Sequence, residues 1–166
     1  CGHTNIVKML LNHKANINLR NKEEWNALHF AALRNHGETA EFLLKQRVNV
    51  FAFNSVGITA LHIAGMEGHC QMISLLIRYG ADLNCCSKAG WTALHLAASN
   101  NHVQTCQTLM KARALHIAAR EGHKNTCIAL LNGGALADSV GMHYSWILAR
   151  VSKYSRQTWK KTCGPC

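Results

Sequence analysis

The sequence predicts an all-α repeat solenoid, and three observations carry that expectation. The Leu-His pairs at Leu28–His29, Leu61–His62 and Leu94–His95 stand 33 residues apart. A second set, His3, His36, His69 and His102, keeps the same step. Between them the apolar residues fall at helical spacing, as Ile73, Leu76 and Ile77 do in HCQMISLLIRYG. Self-similarity at such a period marks stacked supersecondary units that bury their apolar faces only against one another.

Each unit opens on ALHxAA or a close variant, a short helix beginning near Ala27, Ala60, Ala93 or Ala114. Ala is the best helix former, so it serves well at that first position. Gly2, Asn35, Gly68, Asn101 and Gly122 then precede the second histidine. Gly and Asn enter the left-handed region most cheaply, as a helix end needs where the chain reverses. A second apolar-periodic helix follows, then an extended polar connection such as ADLNCCSKAGWT, where the Thr92 hydroxyl is placed to cap the next helix.

The motifs TALHIAGMEGH (59–69), LLIRYGADLN (75–84) and GWTALHLAASNNH (90–102) resemble the ankyrin repeat. The resemblance implies ankyrin helix-turn-helix units with hairpin-like fingers across 1–137. These divide into a partial repeat 1–23, repeats 24–56 and 57–89, a truncated repeat 90–113 and a last repeat 114–137. A divergent basic tail, 138–166, follows. The family's usual proline after the N-cap is replaced by alanine in every unit. The glycine that ends the second helix is kept as Gly80 and Gly134 but is Lys14, Arg47 and Arg113 elsewhere. A non-glycine residue held left-handed costs roughly 1–2 kcal/mol, so those caps should be softer.

One junction breaks the period. Leu115 follows Leu94 by 21 residues, so twelve are missing, equivalent to one finger with its N-cap. The segment VQTCQTLMKARALHIAAR holds no Gly, Pro, Asn or Asp, and its local preference favours one continuous helix. Against this, burying each Leu of the fifth unit is worth about 1.5–3 kcal/mol. A poorly suited turn residue costs only about 1 kcal/mol. The balance predicts a strained tight turn at Ala112–Arg113, with the fifth repeat retained but weakened.

Composition narrows the function classes. The chain of 166 residues is 48% hydrophobic and 16% charged, as suits a packed protein, and no apolar run approaches the length of a membrane span. It opens on Cys1 in mid-pattern, which reads as a piece of a longer protein. The net charge of +10 divides between a body with thirteen Lys/Arg against eight Asp/Glu and a tail, from residue 139, with five cations and no acid. That distribution argues against a nucleic-acid partner for the body. Eight cysteines, most at positions such as Cys106 and Cys127 where a helix would bury a small hydrophobe, fit a reducing compartment. The expectation is an intracellular protein, cytoplasmic rather than nuclear.

No chemistry stands out. The repeat histidines lie about one unit apart, whereas a metal needs ligands converging within about 2 Å of it. The resemblance instead implies that they bond the backbone and hydroxyls of the turns. CGPC at 163–166 has the form of a redox motif, yet no helix follows it to lower a thiol pKa, and as a prenylation signal its Gly164 and Pro165 are not aliphatic. No nucleophile and base, phosphate loop or carboxylate pair appears. We therefore expect no catalysis, no metal and no cofactor.

A binding surface is the better-founded reading, because stacked repeats present one extended face. The resemblance places partner contacts on finger tips, on the residue before the N-cap and on two positions late in the first helix. In the first full unit these are Arg20, Lys22, Glu23, Trp25, Leu33 and Arg34. The second gives Phe53, Ser55, Val56, Ile58, Met66 and Glu67, and the third Cys86, Lys88, Trp91, Ser99 and Asn100. Trp25, Ile58 and Trp91 share one register and form an apolar ladder, either an interface anchor or packing between fingers. Asn84, with Asp82 two before and Leu76 eight before, matches the pattern of asparaginyl hydroxylation in this family; Asn18 has Leu10 but only Asn16 in the acidic place. The tail sets Tyr144, Ile147, Leu148, Val151 and Tyr154 on one helical face, with Trp146 and Trp159 beside it. This is either a cap on the last repeat or a helix that touches a membrane surface or a calmodulin-like protein. The function expected is an intracellular interaction module or scaffold for a partner protein. The alternative is the regulatory portion of a larger signalling protein or enzyme.

Overall fold

A computed structural model of the chain describes residues 3–120, 122, 123, 126 and 128–130. The tail from 138 with Tyr144, Trp146, Ile147, Leu148, Val151, Tyr154 and Trp159, the terminal CGPC, and Gly2, Cys127 and Gly134 lie outside the described residues. The helices are α1 (Thr4–Asn12), α2 (Ala27–Leu33), α3 (Gly37–Lys45), α4 (Ala60–Met66), α5 (Cys70–Arg78), α6 (Ala93–Ser99) and α7 (Val103–Arg120). The chain divides into two compact units, Cys1–Met110 and Lys111–Cys166.

In the first unit, helices α2, α4 and α6 begin at the three expected alanines, after the N-caps Asn26, Thr59 and Thr92. The turns that follow run through left-handed Asn35, Gly68 and Asn101, with φ of 53°, 77° and 59°. Each then enters its partner, α3, α5 or α7. Second helices end on Lys14, Arg47 and Gly80, with φ of 62°, 61° and 88°, so Lys14 and Arg47 carry the strain expected of them. First helices pack on first helices and second on second: α2 on α4 on α6, and α1 on α3 on α5. Leu28, Leu43, Leu61, Ile63, Met72, Ile73 and Leu76 fill the core, and Ala32, Ala40, Ala64 and Ala97 let the backbones approach.

The imidazoles of His29 and His62 each span two units. His29 Nδ1 accepts from the Asn26 amide at 3.1 Å, and the Asn26 side chain accepts from the His29 amide at 3.1 Å. A backbone N–H only donates, so Nδ1 is the bare nitrogen and Nε2 carries the proton. That N–H donates to Ile58 O at 3.2 Å, in the next finger. His62 repeats the arrangement, with the Thr59 amide on Nδ1 at 3.2 Å and Trp91 O receiving Nε2–H at 3.0 Å. The second histidine of the unit binds backwards: His69 Nε2 meets Leu33 O at 3.4 Å and His102 Nε2 meets Met66 O at 2.9 Å.

The fingers are turns closed by one main-chain bond in a shared register. Asn21 N donates to Trp25 O (2.9 Å), Asn54 N to Ile58 O (2.9 Å) and Ser87 N to Trp91 O (2.8 Å). The left-handed position inside them is filled by Glu24, Gly57 and Gly90. Neighbouring fingers join through Ser55 N to Glu23 O at 3.1 Å and Lys88 N to Val56 O at 3.2 Å. A Cβ on Gly57 would lie 2.7 Å from Lys88 N, so glycine there admits the next finger.

The tight turn at Ala112–Arg113 does not form. Helix α7 runs unbroken from Val103 to Arg120, and Arg113 is helical rather than a left-handed cap. The expectation assumed that fusion would strand Leu115. Instead Leu115 and Ala118 are buried in a cluster of their own, edged by Ala119 and Leu130. Fusion thus forfeits little of the burial that was to oppose it, and the local preference decides. At about 100° per residue, the buried side of the helix, Thr105, Leu109 and Ala112 in its first part, shifts round once Leu115 and Ala118 take over. Two different helices are in effect written end to end.

Two outcomes follow from these observations. Protection against amide exchange should fall along α7, with the amides of Leu115–Arg120 exchanging at least about tenfold faster than those of α4 and α5. Protection as high after Ala112 as in α4 would show the second cluster to be no weaker. Burial lowers the pKa of both His29 and His62, only partly offset by their bonds to backbone. The unfolded chain therefore binds more protons below the ordinary histidine pKa of 6.5. Stability should be full above that pH and fall as pH drops beneath it, levelling once both rings protonate in the folded state. Urea midpoints at pH 7.5 and pH 5 should differ in that direction; equal midpoints would mean that the rings ionise as freely folded as unfolded.

Candidate protein-binding surface

The finger residues alternate between those that hold the finger and those that face outward. Asn54 Oδ1 accepts from the amides of Val56 and Ile58 (3.1 and 2.9 Å), and Asn21 Oδ1 likewise from Glu23 and Trp25 (3.0 and 2.8 Å). In the third finger Ser87 Oγ accepts from the Trp91 amide at 3.2 Å. These residues pin the tip from within, and the side chains between them project. Sequence reasoning passed over these three; their place at one register of the period is the signal that marks them.

Of the expected contact residues, Arg20, Lys22, Glu23, Arg34, Phe53, Ser55, Val56, Glu67, Cys86, Lys88, Trp91, Ser99 and Asn100 are exposed. Trp25, Leu33, Ile58 and Met66 are half-buried. The exposed apolar members are Phe53 at 52%, Val56 at 53% and Trp91 at 43%. Phe30 and Phe51 are exposed as well and were not among the expected residues. Part of the set is committed to structure: Asn100 Nδ2 donates to Met66 O at 2.7 Å, and the Arg20 guanidinium donates to Phe53 O at 3.4 Å. The four cations Arg20, Lys22, Arg34 and Lys88 outnumber Glu23 and Glu67, leaving the set basic by two charges.

The apolar ladder is not uniform. The Trp25 ring lies 5.2 Å from Phe30 and 5.7 Å from His29, on its own first helix. Ile58, like Trp25, rests against the main core. Trp91 meets only the edge of His95, at 6.2 Å, among ring contacts of the described residues. Trp25 thus packs, though on its own first helix rather than on a neighbouring finger, whereas Trp91 is a large apolar side chain left exposed.

Among the described residues, no group of three His, Cys, Asp or Glu side chains converges as a metal site. Cys70, Cys85, Cys86 and Cys106 are free thiols. Burial, followed by the nearby Asp82 and Cys86, raises the pKa of Cys85, which disfavours its reactive thiolate. Asn84 is exposed and its amide donates to Asp82 Oδ1 at 2.9 Å, whereas Leu76 is fully buried. No described helix is long and apolar enough to cross a membrane.

Comparison with known families agrees with the geometry. The sequence matches ankyrin repeats (many copies) over residues 2–44, ankyrin repeats (3 copies) over 52–114 and a further ankyrin repeat over 112–141. No curated protein matches the chain. The 33-residue step, the capped ALH helices with their imidazole bridges and these three matches have one common meaning: the chain belongs to the ankyrin-repeat family.

Proposed function

We propose that the chain is an intracellular interaction module that holds a partner protein on its finger tips and the ends of its first helices. Ankyrin repeats are in general protein–protein interaction modules, typically without catalysis. The observation that carries the finer reading is the exposure of Phe53, Val56 and Trp91 on fingers fixed by main-chain bonds. Apolar side chains held out on a rigid frame lose little freedom on binding, which makes them effective anchors. The basic surplus around them favours a partner with acidic residues at its rim.

Crosslinking with the whole chain as bait should place partner crosslinks on Lys22 and Lys88. Trp91→Ala should weaken capture by about tenfold or more while leaving the melting temperature nearly unchanged. Trp25→Ala should do the reverse, since its ring packs on Phe30. If Trp91→Ala captures the partner normally, the partner lies elsewhere.

Asn84 is the proposed hydroxylation site of the same surface, supported by its exposure and by Asp82 two residues before it. Protein co-expressed with an asparaginyl hydroxylase should gain one oxygen atom, about 16 Da, on the peptide containing Asn84. An unmodified Asn84 peptide would end that assignment. The buried Leu76 also implies that the enzyme meets this segment while it is locally opened.

A further inference from the structure

The geometry points to a second docking surface, distinct from the finger tips, on the face of α6. It fits an extended segment of a partner protein that leads into a short helix. The internal repeat defines what such a face receives. His29 and His62 are each 1% exposed, because the next finger lies over them and takes the Nε2 proton on a main-chain carbonyl. Leu28 and Leu61 are buried by the same neighbour, as are Ala32 and Gly65. At Gly65 an added Cβ would come within 2.6 Å of Ala93 O, so the neighbour's first helix sits directly on this position.

One step along the array, the corresponding residues are open. His95 and Ala98 are exposed, and Leu94 is half-buried. His95 keeps its intra-unit role, with Nδ1 accepting from the Thr92 amide at 3.2 Å, so Nε2 is again the protonated nitrogen. The carbonyl that the 33-residue step would bring to it belongs to the finger missing between Leu94 and Leu115. Among the described residues no acceptor meets that N–H. The face is a continuation of the interface already made twice in this chain, and its complement is thereby specified. The complement has an extended backbone with a free carbonyl opposite His95, small side chains over Ala98, and a short helix against Leu94.

A second copy of the chain is a poor occupant. Its own fingers at Ile58 and Trp91 already serve His29 and His62, respectively. Its remaining finger, which ends at Trp25, is preceded by α1. That helix stands one period before α3, and so at the place where the receiving copy has the first part of α7. The two helices would have to share one space.

The test supplies the missing element in trans. A fluorescent synthetic peptide of residues 80–99, carrying Cys85→Ser and Cys86→Ser, is titrated against the whole chain. Saturable binding is expected, and a scrambled peptide should show none. Ala98→Arg, which projects a charged side chain from the face while keeping the helix, should weaken binding at least about tenfold. His95→Phe, which keeps a ring but offers no donor, should weaken it in the same direction. Absence of saturation, equal binding of the scrambled peptide, or indifference to Ala98→Arg would overturn the proposal. So would sedimentation showing self-association that Ala98→Arg abolishes, since the occupant would then be a second copy.

Discussion

The interaction on which the first unit depends is the imidazole of the ALH motif. A single ring satisfies an otherwise orphaned amide at the start of its own helix and, through the opposite nitrogen, fixes a carbonyl of the next finger. Both bonds require the neutral ring in one tautomer, and burial supplies that condition by disfavouring the charged form. Because one bond is local and the other reaches 29 residues ahead, the same side chain sets helix start and repeat spacing together. Helices of seven residues would be marginal by themselves. Here each is capped from within and clamped from the next unit, and the stack rather than the helix is the stable object.

Much of this was legible from the period. Helix starts at Ala27, Ala60 and Ala93, turns at Asn35, Gly68 and Asn101, and the unfavourable left-handed Lys14 and Arg47 all fall at fixed registers, where one residue's role predicts its counterpart's. What register cannot convey is the identity of a neighbour. Trp25 and Trp91 occupy the same position, but five residues on Trp25 finds Phe30 to lie against, while Trp91 finds Leu96. One ring is therefore half-buried and the other exposed. Glu24 was hidden for the opposite reason. Its left-handed conformation is imposed by a finger that Gly57 and Gly90 form without strain, and nothing in glutamate's own preference announces it.

The finger also explains why the junction after Met110 resolved against the expected turn. A finger is a spacer between helices and at the same time the donor of the carbonyl that the preceding histidine requires. With its twelve residues gone, the chain between Val103 and Arg120 contains only residues that tolerate a helix, and the cost of a turn falls on Ala112 and Arg113, which have no means of reducing it. The countervailing term was the burial of Leu115 against its former neighbour. Hydrophobic burial is non-directional, so it rewards any dry contact and not only the ancestral one. Ala118 and Ala119 on the fused helix, with Leu130 beyond its end, provide such a contact.

A directional bond has no such substitute. The proton on His95 Nε2 needs an acceptor in one place, and the small cluster around Leu115 offers no means of supplying it. Loss of one finger therefore separates the two kinds of interaction that hold a repeat array together. The apolar part is recovered locally by a longer helix, and the polar part remains as an exposed donor beside Leu94 and Ala98. An exposed donor bonds to water at little cost, so the fold tolerates the vacancy. The penalty would arise only on burial without a carbonyl, and any occupant of this face is thereby selected for its backbone conformation before its side chains.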